Sequence, residues 1–159
     1  MALKIPHCAR CSGACELKAL PSVSGADGSL KITAHQFPVF ACAKGHHAPV
    51  HGDFMIWLIR EIKSRGESLP AGKEQGLVFK KHLCGACGKE LGAKPERRQA
   101  FPLEMKFEAL APFRLELELP AYKCTGCGKE QIRSAKELGG HVANAAVGVN
   151  DSAGFPHSG

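Results

Sequence analysis

The sequence predicts a small mixed β/α protein stabilised by metal instead of by one large apolar core, and three observations predict it. The phrase CGACGKE at 84–90 returns as CTGCGKE at 124–130, with Cys in the same two places. The segments LEMKFEAL (103–110) and FRLELEL (113–119) alternate apolar and polar residues with the period of a half-buried strand. One Trp, one Tyr and eight Phe in 159 residues are thin material for an aromatic core, while 18 Gly and 10 Pro imply many turns.

The first module spans residues 1–50. It opens with HCARCSGAC, passes a Gly/Ser/Asp turn at SVSGADGS (22–29), continues in the strand-like KITAHQFPVFAC and ends in CAKGHH. A C-x-x-C pair on a tight turn presents two thiolates on one side. Cys8 and Cys11 make one such knuckle, and Cys42 with His46, as C-x-x-x-H, makes the other. Three Cys and one His are the donors of a tetrahedral zinc site, and knuckles at either end of a hairpin are the plan of a zinc ribbon. Cys15 is a fifth thiol, so C-x-x-C-x-x-x-C with Cys42 also reads as an iron–sulfur nest. Its plainer role is a small buried thiol on the strand leaving the knuckle.

Residues 51–66 form a connecting helix. Asp53 stands at its cap, Phe54, Trp57, Leu58, Glu61 and Ile62 follow helical spacing, and Gly66 ends it. Met55, Ile56 and Ile59 are apolar too, so the helix is greasy round most of its circumference and needs cover from its own ribbons or from a partner. Residues 67–77, with ESLPAGKEQG, read as a linker.

The second module spans 78–147. Its knuckles are Cys84 with Cys87 and Cys124 with Cys127, each closed by a Gly that can take positive φ so that backbone N–H groups point back at sulfur. Between them the two alternating segments form a hairpin or neighbouring strands around Ala111-Pro112, which sets the distance between the thiolate pairs. SAKELGGHVANAAV (134–147) reads as a short helix capped by Ser134, and 148–159 as a disordered C-terminal tail. The expected content is two Zn2+ per chain. A rubredoxin-like iron is the competitor at the four-Cys set, because paired C-x-x-C-G knuckles also hold a single iron.

With C-x-x-C-G, paired strands, LPAYKCTGCGKE and a Ser-started helix in that order, residues 80–145 resemble the YgiT-type zinc finger, the metal-binding module of MqsA-like antitoxins. The resemblance implies structural zinc on Cys84, Cys87, Cys124 and Cys127. Those antitoxins continue into a DNA-gripping helix-turn-helix, for which the weakly helical residues 134–147 are too few. The first half reads as a generic zinc ribbon.

The formal charge is +6, and each half of the chain, 1–75 and 76–159, carries +3, so the basic excess looks modest and spread out. Its best cluster is Lys89, Lys94, Arg97 and Arg98. Lys89 and Lys129 follow thiolates directly and offset the negative charge of a four-thiolate centre. The N-terminus has no apolar signal region and FMIWLI (54–59) is too short to span a bilayer, which points to no membrane and a reducing cytoplasm, where close Cys pairs chelate instead of forming disulfides.

His46, His47, His51 and Asp53 invite a catalytic metal with an open position. His46 is already a ligand, however, and His51 with Asp53 is explained by helix entry. His35, His82 and His141 are ordinary surface or satisfied histidines. No nucleophile motif, phosphate-cradling loop or dinucleotide fingerprint is present, so no enzyme is expected. The expectation is a double zinc-ribbon adaptor or accessory subunit of a macromolecular complex, docking on a protein partner or a second copy through Phe54, Trp57, Leu58 and Ile62. The alternative is a nucleic-acid-binding ribbon protein of transcription or translation acting through Lys89, Lys94, Arg97 and Arg98, with an iron electron carrier as a minor alternative.

Overall fold

In the computed structural model, which describes residues 4–78 and 80–155, the chain runs β1 (Cys15–Asp27), β2 (Leu30–Cys42), β3 (His47–Ala48), α1 (Phe54–Gly66), β4 (Lys73–Gln75), β5 (Lys81–Leu83), β6 (Arg97–Met105), β7 (Phe113–Lys123), β8 (Glu130–Gln131) and α2 (Ala135–Ser152). β1–β2 and β6–β7 are long antiparallel hairpins, and β2 pairs with β7 to make one sheet of order β1-β2-β7-β6, with β3 on β2 and β8 on β7. β4 and β5 pair separately. Alternation sets the faces: Leu115, Leu117 and Leu119 are buried while Arg114 is exposed and Glu116 and Glu118 are half-exposed.

The two hairpins are related by an approximate two-fold axis. FPVFAC (37–42) corresponds to LPAYKC (119–124), which places Thr33 on Leu115 and Ala34 on Glu116. In the sheet Thr33 pairs with Glu116 and Ala34 with Leu115, so the axis passes between these pairs. The helices cross over. α2, at the end of the second half, lies on β1 and β2 of the first. Trp57 of α1 packs against Phe107 and Phe113 of the second half, with ring centroids 5.0 and 6.3 Å apart. The two expected ribbons therefore share one sheet and one core.

This sharing explains the local departures from the sequence reading. The expected turn at 22–29 is strand as far as Asp27, and the chain reverses only at Gly28 and Ser29. Gly25 sits in that strand because α2 passes directly over it: a Cβ there would run into the Ala145 carbonyl and the Val149 amide, and one on Gly148 would lie 2.9 Å from the Gly25 Cα. The first alternating segment begins earlier than expected and stops at Met105; Phe107 turns inward under Trp57, and Glu108 takes φ 49° in the connection.

The segment expected to be a linker is also tied down. Leu69 and Ala71 pack on the core, Gly72 N–H donates to the Ile132 carbonyl, and β4 pairs with β5. Likewise α2 continues to Ser152, and Val149, Ala153 and Phe155 are buried, so 148–155 are core and not a disordered tail. The remainder of that expected tail, 156–159, lies outside the described residues. Ser134 caps α2 by accepting from the Glu137 N–H at 3.2 Å. Asp53 stands at the α1 cap position without a capping side chain; its N–H donates to His51 Nδ1 at 3.0 Å.

α1 finds its cover inside the chain. Phe54, Leu58 and Ile62 have no exposed surface, Met55, Trp57 and Ile59 pack partly buried beside them, and Leu138 of α2 lies against Gly66. Its exposed residues are Ile56, Arg60, Lys63, Ser64 and Arg65. No described helix is long and apolar enough to cross a membrane.

Candidate metal centres

Four knuckles of nearly one design carry the candidate ligands. The Cys84 N–H donates to the Lys89 carbonyl at 2.7 Å and the Gly88 N–H returns to the Cys84 carbonyl at 3.0 Å, with φ 79° at Gly88. At the repeat, Cys124 donates to Lys129 and Gly128, at φ 77°, donates to Cys124. Ser12 takes the same place after Cys8 with φ 60°, and Gly45, one residue earlier in its turn, closes the Cys42 knuckle with φ 82°. These turns aim N–H groups at sulfur. Ala86 and Cys87 stand 3.4 and 3.5 Å from Cys84 Sγ, and Gly126 and Cys127 stand 3.3 and 3.4 Å from Cys124 Sγ.

The hairpins then bring the knuckles together in two groups, Cys8, Cys11, Cys42 and His46, and Cys84, Cys87, Cys124 and Cys127, with the donor atoms of each group within 4.8 Å of one another. Within them Cys11 and Cys42 sulfurs are 3.7 Å apart, Cys84 and Cys127 3.7 Å, Cys87 and Cys124 3.3 Å, and Cys8 Sγ lies 3.3 Å from His46 Nδ1. A tetrahedral ion with metal–sulfur bonds of about 2.3 Å sets its sulfurs about 3.8 Å apart, whereas a disulfide needs about 2.05 Å. Both groups therefore have the geometry to hold a metal ion. All eight Cys are free thiols in this arrangement.

The surroundings favour thiolate at selected positions. The Cys87 N–H, the Gln131 carboxamide and the Ala86 N–H, against the opposing effect of burial, lower Cys84 to about 6. The Cys127 N–H does most to lower Cys124. Burial raises Cys42, but the N–H groups of His46 and Lys44 and the neighbouring sulfurs outweigh it and bring the thiol to about 7. The Lys129 N–H pulls Cys127 down, yet burial and the three other sulfurs push it up to about 11. Each group thus contains a sulfur ready to bind metal near neutral pH.

Gln131 is a contributor that sequence reading missed. It is 2% exposed, its Nε2 donates to Cys84 Sγ at 3.2 Å, and its Oε1 accepts from the Gly85 N–H at 2.8 Å. It lies four residues after Cys127, and the residue four after His46 is the buried Val50. The extra donor accompanies the four-sulfur group, where more negative charge gathers, and is missing from the group containing His. A polar residue soon after a knuckle was the only signal for it.

The other candidates stand outside the donor groups. Cys15 pairs with Cys42 across the β1–β2 ladder, half-buried, its thiol raised by burial and by the nearby Cys8 and Cys42. His47 Nδ1 donates to the Ala153 carbonyl at 2.7 Å, which anchors the end of α2. His51 lies 3.9 Å from the Asp53 carboxylate at the entry to α1. His141 Nδ1 bonds Asp27 at 2.8 Å, His35 Nε2 lies 3.5 Å from Glu116, and His82 lines a cleft with Arg133.

Of the expected basic cluster, Arg97 is held by Glu130 at 2.8 Å, and Arg98 by the Ser29 and Glu118 carbonyls; Lys89 and Lys94 are exposed and make no ion pair among the described residues. The Lys89 stem lies over Gly126 of the facing knuckle. No family model matches the chain, and neither a curated protein nor a solved structure matches it.

Proposed function

We propose that both donor groups hold zinc and that the protein is a non-catalytic double zinc-ribbon adaptor or accessory subunit that docks on a macromolecular complex. The observation that carries this reading is closure: each group supplies four protein donors, Cys8, Cys11, Cys42 and His46 or Cys84, Cys87, Cys124 and Cys127, whereas a catalytic zinc keeps a position for water or substrate. Three Cys with one His is a zinc set, and two centres on one plan argue for one metal. The likeness of residues 80–145 to YgiT-type zinc fingers supports the same metal at the second centre.

Zinc here would hold the hairpin ends in register, since each group joins the start of one strand pair to its finish. The partner surface lies elsewhere than on Phe54, Leu58 and Ile62, because those side chains are inside the core.

Elemental mass spectrometry with a visible spectrum tests the reading on protein purified without added metal. Two zinc per chain and no colour are expected, with loss of the cooperative thermal transition on chelation. Iron with visible absorption would overturn it and make electron transfer the function.

A further inference from the structure

The sequence divided into halves hides where its charge lies. Residues 73–98 and 121–133, which the fold gathers around the second donor group, hold ten Lys and Arg against four Glu. The rest of the chain holds eleven of each, so the whole +6 excess belongs to this one end. Counting Glu118 and Glu137, which pair with Arg98 and Arg133, and the formal charge of about −2 of a zinc on four thiolates, the end stays net positive.

Half of those ten cations are already neutralised. Lys80, Lys81, Arg97, Arg98 and Arg133 pair with Glu74, Glu90, Glu130, Glu118 and Glu137. Lys73, Lys89, Lys94, Lys123 and Lys129 are exposed and make no ion pair among the described residues. They are not scattered. Lys73 and Lys129 both line a cleft of about 210 Å3 whose wall includes Gly85 and Ala86 of the first knuckle. Lys89 spans the second knuckle at Gly126, and Lys123 comes within 3.7 Å of a Cβ position on Gly128. Gly92, which lies next to Lys94 in the fold, donates to the Lys123 carbonyl.

We infer that this lysine-bearing end binds the phosphodiester backbone of a nucleic acid, with Lys73 and Lys129 gripping one phosphate in their cleft and Lys89, Lys94 and Lys123 following the strand across the knuckles. This rests on the docking reading above and supplies its partner. Lysines without carboxylate partners are available to displace counterions from phosphate, and flexible stems on a rigid, metal-held platform contact a backbone without reading bases.

The test is fluorescence anisotropy of the metal-loaded full chain with a labelled mixed-sequence oligonucleotide, as duplex and single strand, in DNA and in RNA. Four phosphate contacts, one in the cleft and three along the strand, give a salt slope of about −3.6 on duplex, or an affinity loss of about 150-fold between 50 and 200 mM salt. Lys73→Ala/Lys129→Ala, which empties the cleft of its one phosphate, is expected to reduce the slope by about 0.9. Lys63→Ala/Lys136→Ala, which removes the same charge from exposed residues between α1 and α2, is expected to leave it unchanged. The four nucleic-acid arms identify which backbone is preferred. Equal loss in both double variants, absence of binding at low salt, or displacement by polyglutamate as readily as by unlabelled oligonucleotide would each overturn the inference. Metal content of the same preparation separates the two proposals: two zinc without binding refutes the surface alone, and lysine-dependent binding by an iron protein refutes the zinc reading alone.

Discussion

Replacing Gln131 with Leu probes the second metal centre without touching a ligand. The buried carboxamide donates to Cys84 Sγ at 3.2 Å and accepts from the Gly85 N–H at 2.8 Å. Leu keeps much of the volume and removes both bonds. A hydrogen bond to a charged group is worth about 1.5–3 kcal/mol, and loss of a group that orients a ligand typically weakens metal binding about 10–100-fold, or about 1.4–2.7 kcal/mol. The two estimates agree, and at 2% exposure solvent screening takes little from them. On protein loaded with zinc, competition with a chromophoric chelator should show one of two ions released at about 10–100-fold lower chelator concentration. The other, beside Val50, should be unchanged and so serves as the internal reference. Gln131→Glu retains an acceptor for Gly85 but sets a carboxylate against the thiolate, and should weaken the same ion at least as much. Wild-type release of both ions from folded Gln131→Leu would refute the account, and so would rescue by Glu.

Other substitutions test the frame. Gly25→Ala forces β1 and α2 apart and is expected to cost about 3 kcal/mol, lowering Tm by about 6–12 °C in calorimetry. Leu58→Ala should lose about 2–5 kcal/mol in denaturant titration, while Ile56→Ala, on the 58% exposed side of the same helix, should stay within about 0.5 kcal/mol. Equal effects would mean that α1 does not bury the face described. Ser134→Ala removes the α2 cap and should cost about 1 kcal/mol, restored largely by Ser134→Asn. The Arg133 hydrogen bonds hold the Glu137 carboxyl below its ordinary value, so its contribution is present above the unfolded pKa and is lost as pH falls through the folded one. With both side chains about a third exposed, Glu137→Gln should remove only about 0.5 kcal/mol at neutral pH and nothing in strong acid, measured as the difference between variant and wild-type stability curves.

By itself the sequence determined the parts whose physics is local. A C-x-x-C-G turn needs only neighbouring residues, and the structure builds those knuckles at Cys84 and Cys124 with positive φ at Gly88 and Gly128. Strict alternation at 113–119 names a strand with one wet face, and Ser134 with Glu137 names a helix start. Spacing grouped the eight residues that the fold brings together as two donor sets, because hairpins return their ends to one place, but it left Cys15 as a rival in the first set. The metal that fills them is a matter for measurement.

Tertiary structure decided whatever depends on residues distant in the chain. SVSGADGS has turn composition, yet only Gly28 sits in the turn, and Gly25 is there to admit α2. Residues 148–155 look too polar and glycine-rich to order themselves, and do so because Val149, Ala153 and Phe155 are buried in the shared core. The apolar α1 looked unpartnered because its cover, Phe107 and Phe113, lies some fifty residues away. The charge looked even because residues 99–120 and 134–159 carry −3 between them, which hides the +6 of segments 73–98 and 121–133 when the second half is summed. Composition and period report on neighbours along the chain, whereas cover, close approach and electric field are set by neighbours in space.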